Sequence, residues 1–345
     1  MSSYESRFGA PYGPRPLTVT LALLSALIML PAAMATAAQA LEVVVKGAAP
    51  DRIERQRREA LGQLPLEKTP ELPALRTRLT TGGHRLGDHV FIRIFKEESE
   101  LEIWLKRGDQ FVRFATYPVC FWSGELGPKL FEGDKQTPEG VYTVGRRQLR
   151  LIGRWPKSLN LWFPNAFDKQ NERTGSYILI HGGCSSIGCY AMTDDVLNEV
   201  HLIVSRAIRR GRQRRVQVHA YPFRMTAEKM KRHAGHRWHG FWRDLKAGYD
   251  LFETTRVPPQ TGVCNKRYTF ARATIAQSSN MAIRALRPRP RPVAVPEPSD
   301  AQTLPRDPPD TLTCWQEPAP TDAEPGTPEL PREAAIQGAA PNRVR

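Results

Sequence analysis

From residue 90 onward the apolar positions fall in short runs broken by polar turns. Phe91, Ile92, Ile94 and Phe95 make one run, and Leu101, Ile103, Trp104 and Leu105 a second. The polar stretch 97–100 between them predicts a β-hairpin. Further runs at 111–121, 140–144 and 177–180 are separated by turns rich in Gly, Pro, Asn and Asp, as in a β-rich core. At Thr193 the period changes. Thr193, Asp194 and Asp195 read as a helix start, and Val196, Leu197, Val200, Ile203, Val204 and Ile208 recur at helical spacing. Arg206, Arg209 and Arg210 then suit the negative end of the helix dipole. Residues 216–221 predict a strand, and 225–251 a second, aromatic-rich helical stretch. There is no internal repeat. The pattern predicts a mainly β domain over 70–270 with helices at its periphery.

Both flanks differ in character. Arg7 and Arg15 precede an uncharged apolar run, 17–30, followed by Pro31 and small residues. This is the layout of a secretory signal peptide over 1–40, with Ala38-Gln39-Ala40 as the cleavage site and Leu41 as the new N-terminus. The alternative is an uncleaved inner-membrane anchor, although the dense apolar part falls short of the roughly 20 residues a span needs. Residues 41–69 read as a linker or exposed helix. At the other end, 14 of the 30 prolines fall within 287–345. Such a segment has too little apolar surface to fold, which predicts a Pro-rich disordered tail over 271–345, extended where Arg and Pro alternate from Arg287.

The chain carries 50 Lys and Arg against 35 Asp and Glu, a formal net charge of +15. Much of the excess is local, with 13 Lys or Arg and two acids between His201 and Tyr249. An exported chain is not expected to meet nucleic acid, so this basic segment reads as a solvated face, or as a weak contact with anionic lipid head groups or peptidoglycan carboxylates. Trp238, Phe241 and Trp242 within it read as core. His233, His236 and His239 have no acidic or Cys partner close by, so no metal is assigned and no cofactor is implied.

The five cysteines, Cys120, Cys184, Cys189, Cys264 and Cys314, are an odd number, which in an oxidising compartment leaves at least one thiol unpaired. The densest cluster of reactive groups runs from Ile180 to Met192, between a predicted strand and a predicted helix, and contains His181, Cys184 and Cys189. A thiol becomes nucleophilic beside an imidazole, a cation or a helix N-terminus. Cys189 with His181 therefore reads as an acyl-transfer pair, with Gly188 and Cys189 supplying N–H groups to an oxyanion and Ser186 orienting the imidazole. Two blander readings stand beside it. The cysteines are then buried small hydrophobes, or a Cys184–Cys189 disulfide locks the loop and leaves a non-enzymatic envelope-binding module.

The run Ser186-Ile187-Gly188-Cys189, preceded by His181-Gly182, resembles the L,D-transpeptidase catalytic domain, the YkuD family. Within it the chain resembles the YafK-like branch over about 70–270, through Phe91-Ile92-Arg93-Ile94-Phe95-Lys96, Gly133-Asp134-Lys135-Gln136-Thr137-Pro138-Glu139-Gly140, Phe163-Pro164-Asn165-Ala166-Phe167-Asp168 and Phe241-Trp242-Arg243-Asp244. The resemblance implies a β-sandwich or barrel with peripheral helices, in which Cys189 is the nucleophile and His181 the base. Thr137, Pro138 and Gly140 would build the substrate cleft with Gly182. The implied substrate is a peptidoglycan stem peptide, attacked to give a thioester. The chain departs from the wider family in having Ile187 where most members carry a second His, and in a shorter stretch from base to nucleophile. The YafK-like branch shares both departures and includes hydrolases of the amide that joins an outer-membrane lipoprotein to diaminopimelate. The resemblance thus implies transfer, with hydrolysis at the same site as the alternative.

Overall fold

A computed structural model describes residues 50–210, 213–289 and 309–314; the expected signal peptide and its cleavage site lie outside them. In chain order the elements are α1 (Pro50–Ala60), α2 (Leu75–Thr81), β1 (Val90–Phe95), β2 (Glu100–Arg107), β3 (Gln110–Pro118), β4 (Phe121–Trp122), β5 (Gly140–Gly145) and β6 (Leu159–Asn160). Next come α3 (Ala166–Gln170), β7 (Leu179–His181), β8 (Tyr190–Ala191), α4 (Asp194–Arg210), β9 (Arg215–Tyr221), α5 (Ala227–Arg232) and α6 (His239–Thr255). The last are β10 (Gln260–Cys264), β11 (Arg267–Ala271), α7 (Ile275–Asn280) and β12 (Arg284–Ala285).

The architecture is mainly β, with helices outside. Five strands form one sheet in the order β3-β2-β1-β9-β5, four form a second in the order β4-β8-β7-β6, and β11-β10-β12 form a small third. The near-continuous apolar run of β1 reflects burial on both faces, since all six of its residues are buried. Ile92 and Ile94 join the core shared with Ile180, Tyr190, Met192 and the apolar face of α4. The alternate residue Phe95 packs with Trp242, Leu245 and Tyr249 of α6, and Phe91 with Trp104, Phe111 and Phe252.

Three boundaries differ from the sequence pattern. The run 111–121 is two strands in two sheets: β3 ends at Pro118, and the Cys120 N–H then donates to Ala191 O at 2.9 Å, passing the chain to the second sheet. The stretch 225–251 is broken by tight turns in which His236 N–H donates to His233 O and His239 N–H to His236 O, at 3.0 and 2.9 Å, around the helix breaker Gly235. His233 stacks on Phe223 and His236 on Trp242, with ring centroids 4.5 and 4.4 Å apart. The third lies beyond 270, where α7 and β12 belong to the domain and a disulfide joins Cys264 to Cys314. Those residues fold because Thr274 and Gln277 form a capping box and the disulfide anchors 309–314, features the proline count does not register.

Within 41–69, α1 docks through Arg52, which is buried with its guanidinium 3.6 Å from the Trp122 ring centroid and donates to Trp122 O at 2.6 Å. Part of the basic segment is ion-paired: Arg224 with Glu100 and Glu102, Lys229 with Glu97 and Glu98, Lys246 with Asp250. Among the described residues, no helix is long and apolar enough to cross a membrane.

Candidate active site

β7 and β8 are parallel, with Ile180 opposite Tyr190 and His181 opposite Ala191. The same register sets Cys189 beside Leu179, and the Leu179 N–H donates to Cys189 Sγ at 3.4 Å. Side chains two apart on a strand share a face. Leu179, His181 and Cys189 therefore project on one side, with His181 and Cys189 as diagonal neighbours. The thiol is half-buried and donates to Tyr177 O at 3.6 Å.

The loop between them is held from below. Met192 N–H donates to His181 O at 2.7 Å, and Cys184 N–H to Met192 O at 3.1 Å. Ser186 Oγ accepts from the N–H groups of Gly188 and Cys189 at 3.1 and 2.7 Å and donates to Cys189 O at 2.8 Å. This is the local closure favoured by a serine in a tight turn. Ser186 therefore braces the turn that carries Cys189 instead of the imidazole, and the two N–H groups expected at an oxyanion are engaged by Ser186. Gly188 has φ +136°, and a Cβ on Gly182 would lie 1.9 Å from Asp194 Oδ1 at the start of α4. Only glycine fits either place.

The residues expected to build the cleft lie beneath the loop. Thr137 is buried, accepts from Ser123 N–H at 3.0 Å and donates its hydroxyl to Cys189 O at 3.0 Å. Pro138 O accepts from the Tyr190 hydroxyl at 2.6 Å. Gly140, with φ +142°, has no room for a side chain because Tyr268 Oη would lie 2.8 Å from its Cβ. Gly182 is likewise buried. Thr137 and Pro138 thus bond to Cys189 and Tyr190, Gly182 packs on Asp194, and Gly140 packs on Tyr268 and Tyr142; Tyr177 and Ile187, which the sequence pattern did not single out, are exposed next to Cys189.

His181 Nδ1 lies 2.5 Å from its neighbour's carbonyl, Gly182 O. A carbonyl only accepts, so Nδ1 carries the proton and the neutral ring keeps its lone pair on Nε2. Burial holds this imidazole below its ordinary value, with Arg154 acting in the same sense and the Gly182 bond and Asp194 opposing. Burial pushes the Cys189 thiol up, against the Leu179 N–H and the Lys129 ammonium. The resting pair is thus neutral thiol and neutral imidazole. Trp155 lies over the imidazole, ring centroids 4.3 Å apart and planes 32° apart. It sits in a loop of mixed apolar and charged residues without periodicity, so no pattern marks it.

The disulfide reading of the loop is corrected. Cys184 is joined to Cys120, Cα atoms 5.2 Å apart, and Cys189 is the free cysteine among the described residues. Cys184 sits in the left-handed region at φ +52°, which turns its side chain under the loop toward Cys120 and away from Cys189. The locked, non-enzymatic module thereby loses its premise.

The model of the YkuD L,D-transpeptidase catalytic domain matches residues 90–207. The chain is 46% identical over 187 residues to the protein named "Putative L,D-transpeptidase YafK" in Escherichia coli strain K12, covering 54% of this chain and 76% of that one. The O157:H7 protein of the same name matches to the same extent. Among solved structures, the helical cell shape determining protein Pgp2 of Campylobacter jejuni aligns with a TM-score of 0.32 at 19% identity, over 52% of this chain and 64% of that one. Bd1075 of Bdellovibrio bacteriovorus aligns with a TM-score of 0.28 at 21% identity, over 48% and 60%. With the matched domain and the 46% identical relative together, the chain belongs to the YkuD family of L,D-transpeptidase catalytic domains.

Proposed function

We propose that the chain is an exported acyltransferase of the L,D-transpeptidase type, acting on peptidoglycan stem peptides with Cys189 as nucleophile and His181 as base. The observation that carries this reading is the shared sheet face of a free thiol and an imidazole whose Nδ1 is fixed by Gly182 O. The two disulfides support export, since such bonds persist in an oxidising compartment.

Because burial keeps both groups neutral at rest, the proton moves as bonding begins. Sγ attacks the amide carbonyl of the third stem residue while His181 Nε2 accepts the thiol proton. The C–N bond breaks, the imidazolium protonates the departing D-Ala amine, and a thioester remains on Cys189. An acceptor amine then attacks the thioester, giving up its proton through His181, and the thiol is restored. Tyr177 and Ile187, 64% and 66% exposed, offer an apolar rim for the stem.

The test is mass spectrometry of purified muropeptides, and of lipoprotein-linked muropeptides, incubated with the wild-type chain and with Cys189→Ala. Cross-linked or amine-exchanged products that need Cys189 are expected. Cys189-dependent addition of water with loss of the lipoprotein link assigns hydrolysis in place of transfer. No Cys189-dependent product in either substrate overturns the reading.

A further inference from the structure

The imidazole is held from a direction that the nucleophile's loop does not supply. β6 pairs antiparallel with β7, with Leu159 opposite Ile180, so the chain just before β6 emerges beside His181. Residues 150–158 form a loop whose ends are joined by Arg150 N–H donating to Ser158 O at 3.0 Å, and by the bridge between Leu149 and Leu159. This closure brings Trp155 back over the end of β7. Its indole lies over His181 at 4.3 Å between centroids. The catalytic loop leaves room for it: a Cβ on Gly183 would come within 2.6 Å of Trp155 Cζ3, and Gly183 has φ +80°.

We propose that Trp155 is the positioning residue of the catalytic base, holding the His181 ring in the plane in which Nδ1 meets Gly182 O and Nε2 stays available to the thiol. The proposal rests on the assignment of Cys189 and His181 above. An imidazole hydrogen-bonded at one nitrogen still rotates about that bond and about its own side-chain torsions. A flat apolar face against the ring, here with the planes 32° apart, restricts that rotation without competing for Nε2, as a polar neighbour would. The charged groups acting on the ring are Asp194 at the start of α4 and Arg154 on the same loop as Trp155, while the register of β7 and β8 places the Cys189 thiol on the same sheet face. Trp155 adds no charge to this set. Its effect is confined to orientation and exclusion of water.

The experiment compares Trp155→Phe, Trp155→Leu and Trp155→Ala with wild type, His181→Ala and Cys189→Ala, on purified muropeptides. Two readouts are taken: kcat and KM against pH, and the proton NMR titration of the His181 ring without substrate. Phenylalanine keeps an aromatic face and is expected to restore most of the turnover. Leucine keeps the apolar cover but not the plane, so kcat falls roughly tenfold or more with KM little changed, because a small misplacement of a reacting group costs up to about 10²-fold. Alanine admits water as well, so kcat falls and both the acid limb of the profile and the ring titration move up toward the ordinary imidazole value. If Trp155→Leu and Trp155→Ala keep wild-type kcat and acid limb while His181→Ala and Cys189→Ala are inactive, the proposal fails and the catalytic assignment stands. Full turnover in His181→Ala overturns both. Should the alanine variant not fold, the leucine variant and its ring titration decide the matter alone.

Discussion

The Thr137 hydroxyl donates to the backbone carbonyl of Cys189 at 3.0 Å, tying two segments 52 residues apart. Thr137 is itself held, because its own carbonyl accepts from Lys96 Nζ at 3.0 Å and its hydroxyl accepts from Ser123 N–H. The main chain at Cys189 is therefore fixed by a buried polar chain running back into the core. Thr137→Val keeps the shape and removes both hydroxyl bonds, leaving the buried Ser123 N–H unpaired and Cys189 O with Ser186 as its remaining donor. Such a loss costs about 1–3 kcal/mol. The expected outcome is a drop of that size in denaturant unfolding with a slower Cys189-dependent turnover, both recovered in Thr137→Ser.

Of the two disulfides, Cys120–Cys184 anchors the loop between His181 and Cys189, whereas Cys264–Cys314 ties the chain beyond α7. They close loops of 64 and 50 residues, so removing either pair costs a similar amount, about 2–4 kcal/mol. Only the first touches the nucleophile's surroundings. The double change Cys120→Ala with Cys184→Ala is expected to lower stability and to alter the rate at which iodoacetamide alkylates Cys189. The double change Cys264→Ala with Cys314→Ala is expected to lower stability alone. Unfolding curves and alkylation rates on both variants check this, and an unchanged Cys189 rate in the first would show that its disulfide does not shape the loop.

The hydrophobic pattern revealed β1, β2, β9 and α4 because each buries a long apolar set, on both faces in β1 and on one stripe in α4. It missed β6 and β8, which are two residues each and exist only through their pairing within the second sheet, β6 with β7 and β8 with β7 and β4. Cys189 and His181 stood out in the sequence through their chemistry and spacing, and the register of β7 and β8 brings them onto one face. The roles of Thr137, Ser186 and Trp155 did not stand out, since each depends on which distant atom a short polar or aromatic side chain meets, and that is decided by sheet register. The fold beyond 270 was hidden for the same reason: Cys264 and Cys314 mark it only once they are known to pair.

Lys96 and Glu139 form a fully buried ion pair at 3.0 Å beneath the loop. Glu139 also accepts from Trp242 Nε1 at 2.8 Å and from Gly127 N–H at 2.6 Å, while Lys96 donates to three carbonyls. Breaking a buried pair strands the remaining charge and costs about 3–5 kcal/mol, more than replacing both partners together. Lys96→Met is therefore expected to destabilise more than the double change Lys96→Met with Glu139→Leu relieves it of charge. A double-mutant cycle measured by urea unfolding checks the sign of that coupling.

Acid should unfold the domain from the histidines inward. His219 is fully buried between Gln217 and Tyr221, and burial lowers it to about 3, while His84, His181 and His201 are lowered by burial as well. A group whose folded value lies below its unfolded one stabilises fully above the unfolded value and loses that contribution as pH falls toward the folded one. For His219 the window runs from about 6.5 down to about 3. The buried carboxylate Glu102, held low by Arg93 and Arg224 against its own burial, adds a further loss at lower pH. The unfolding midpoint is thus expected to be flat above pH 7 and to fall as pH drops below about 6.5. His219→Gln, which cannot take up a proton in the unfolded chain, should show a shallower fall between pH 6.5 and 5 than wild type, and a matching slope in the two would exclude His219 as a source of the acid sensitivity.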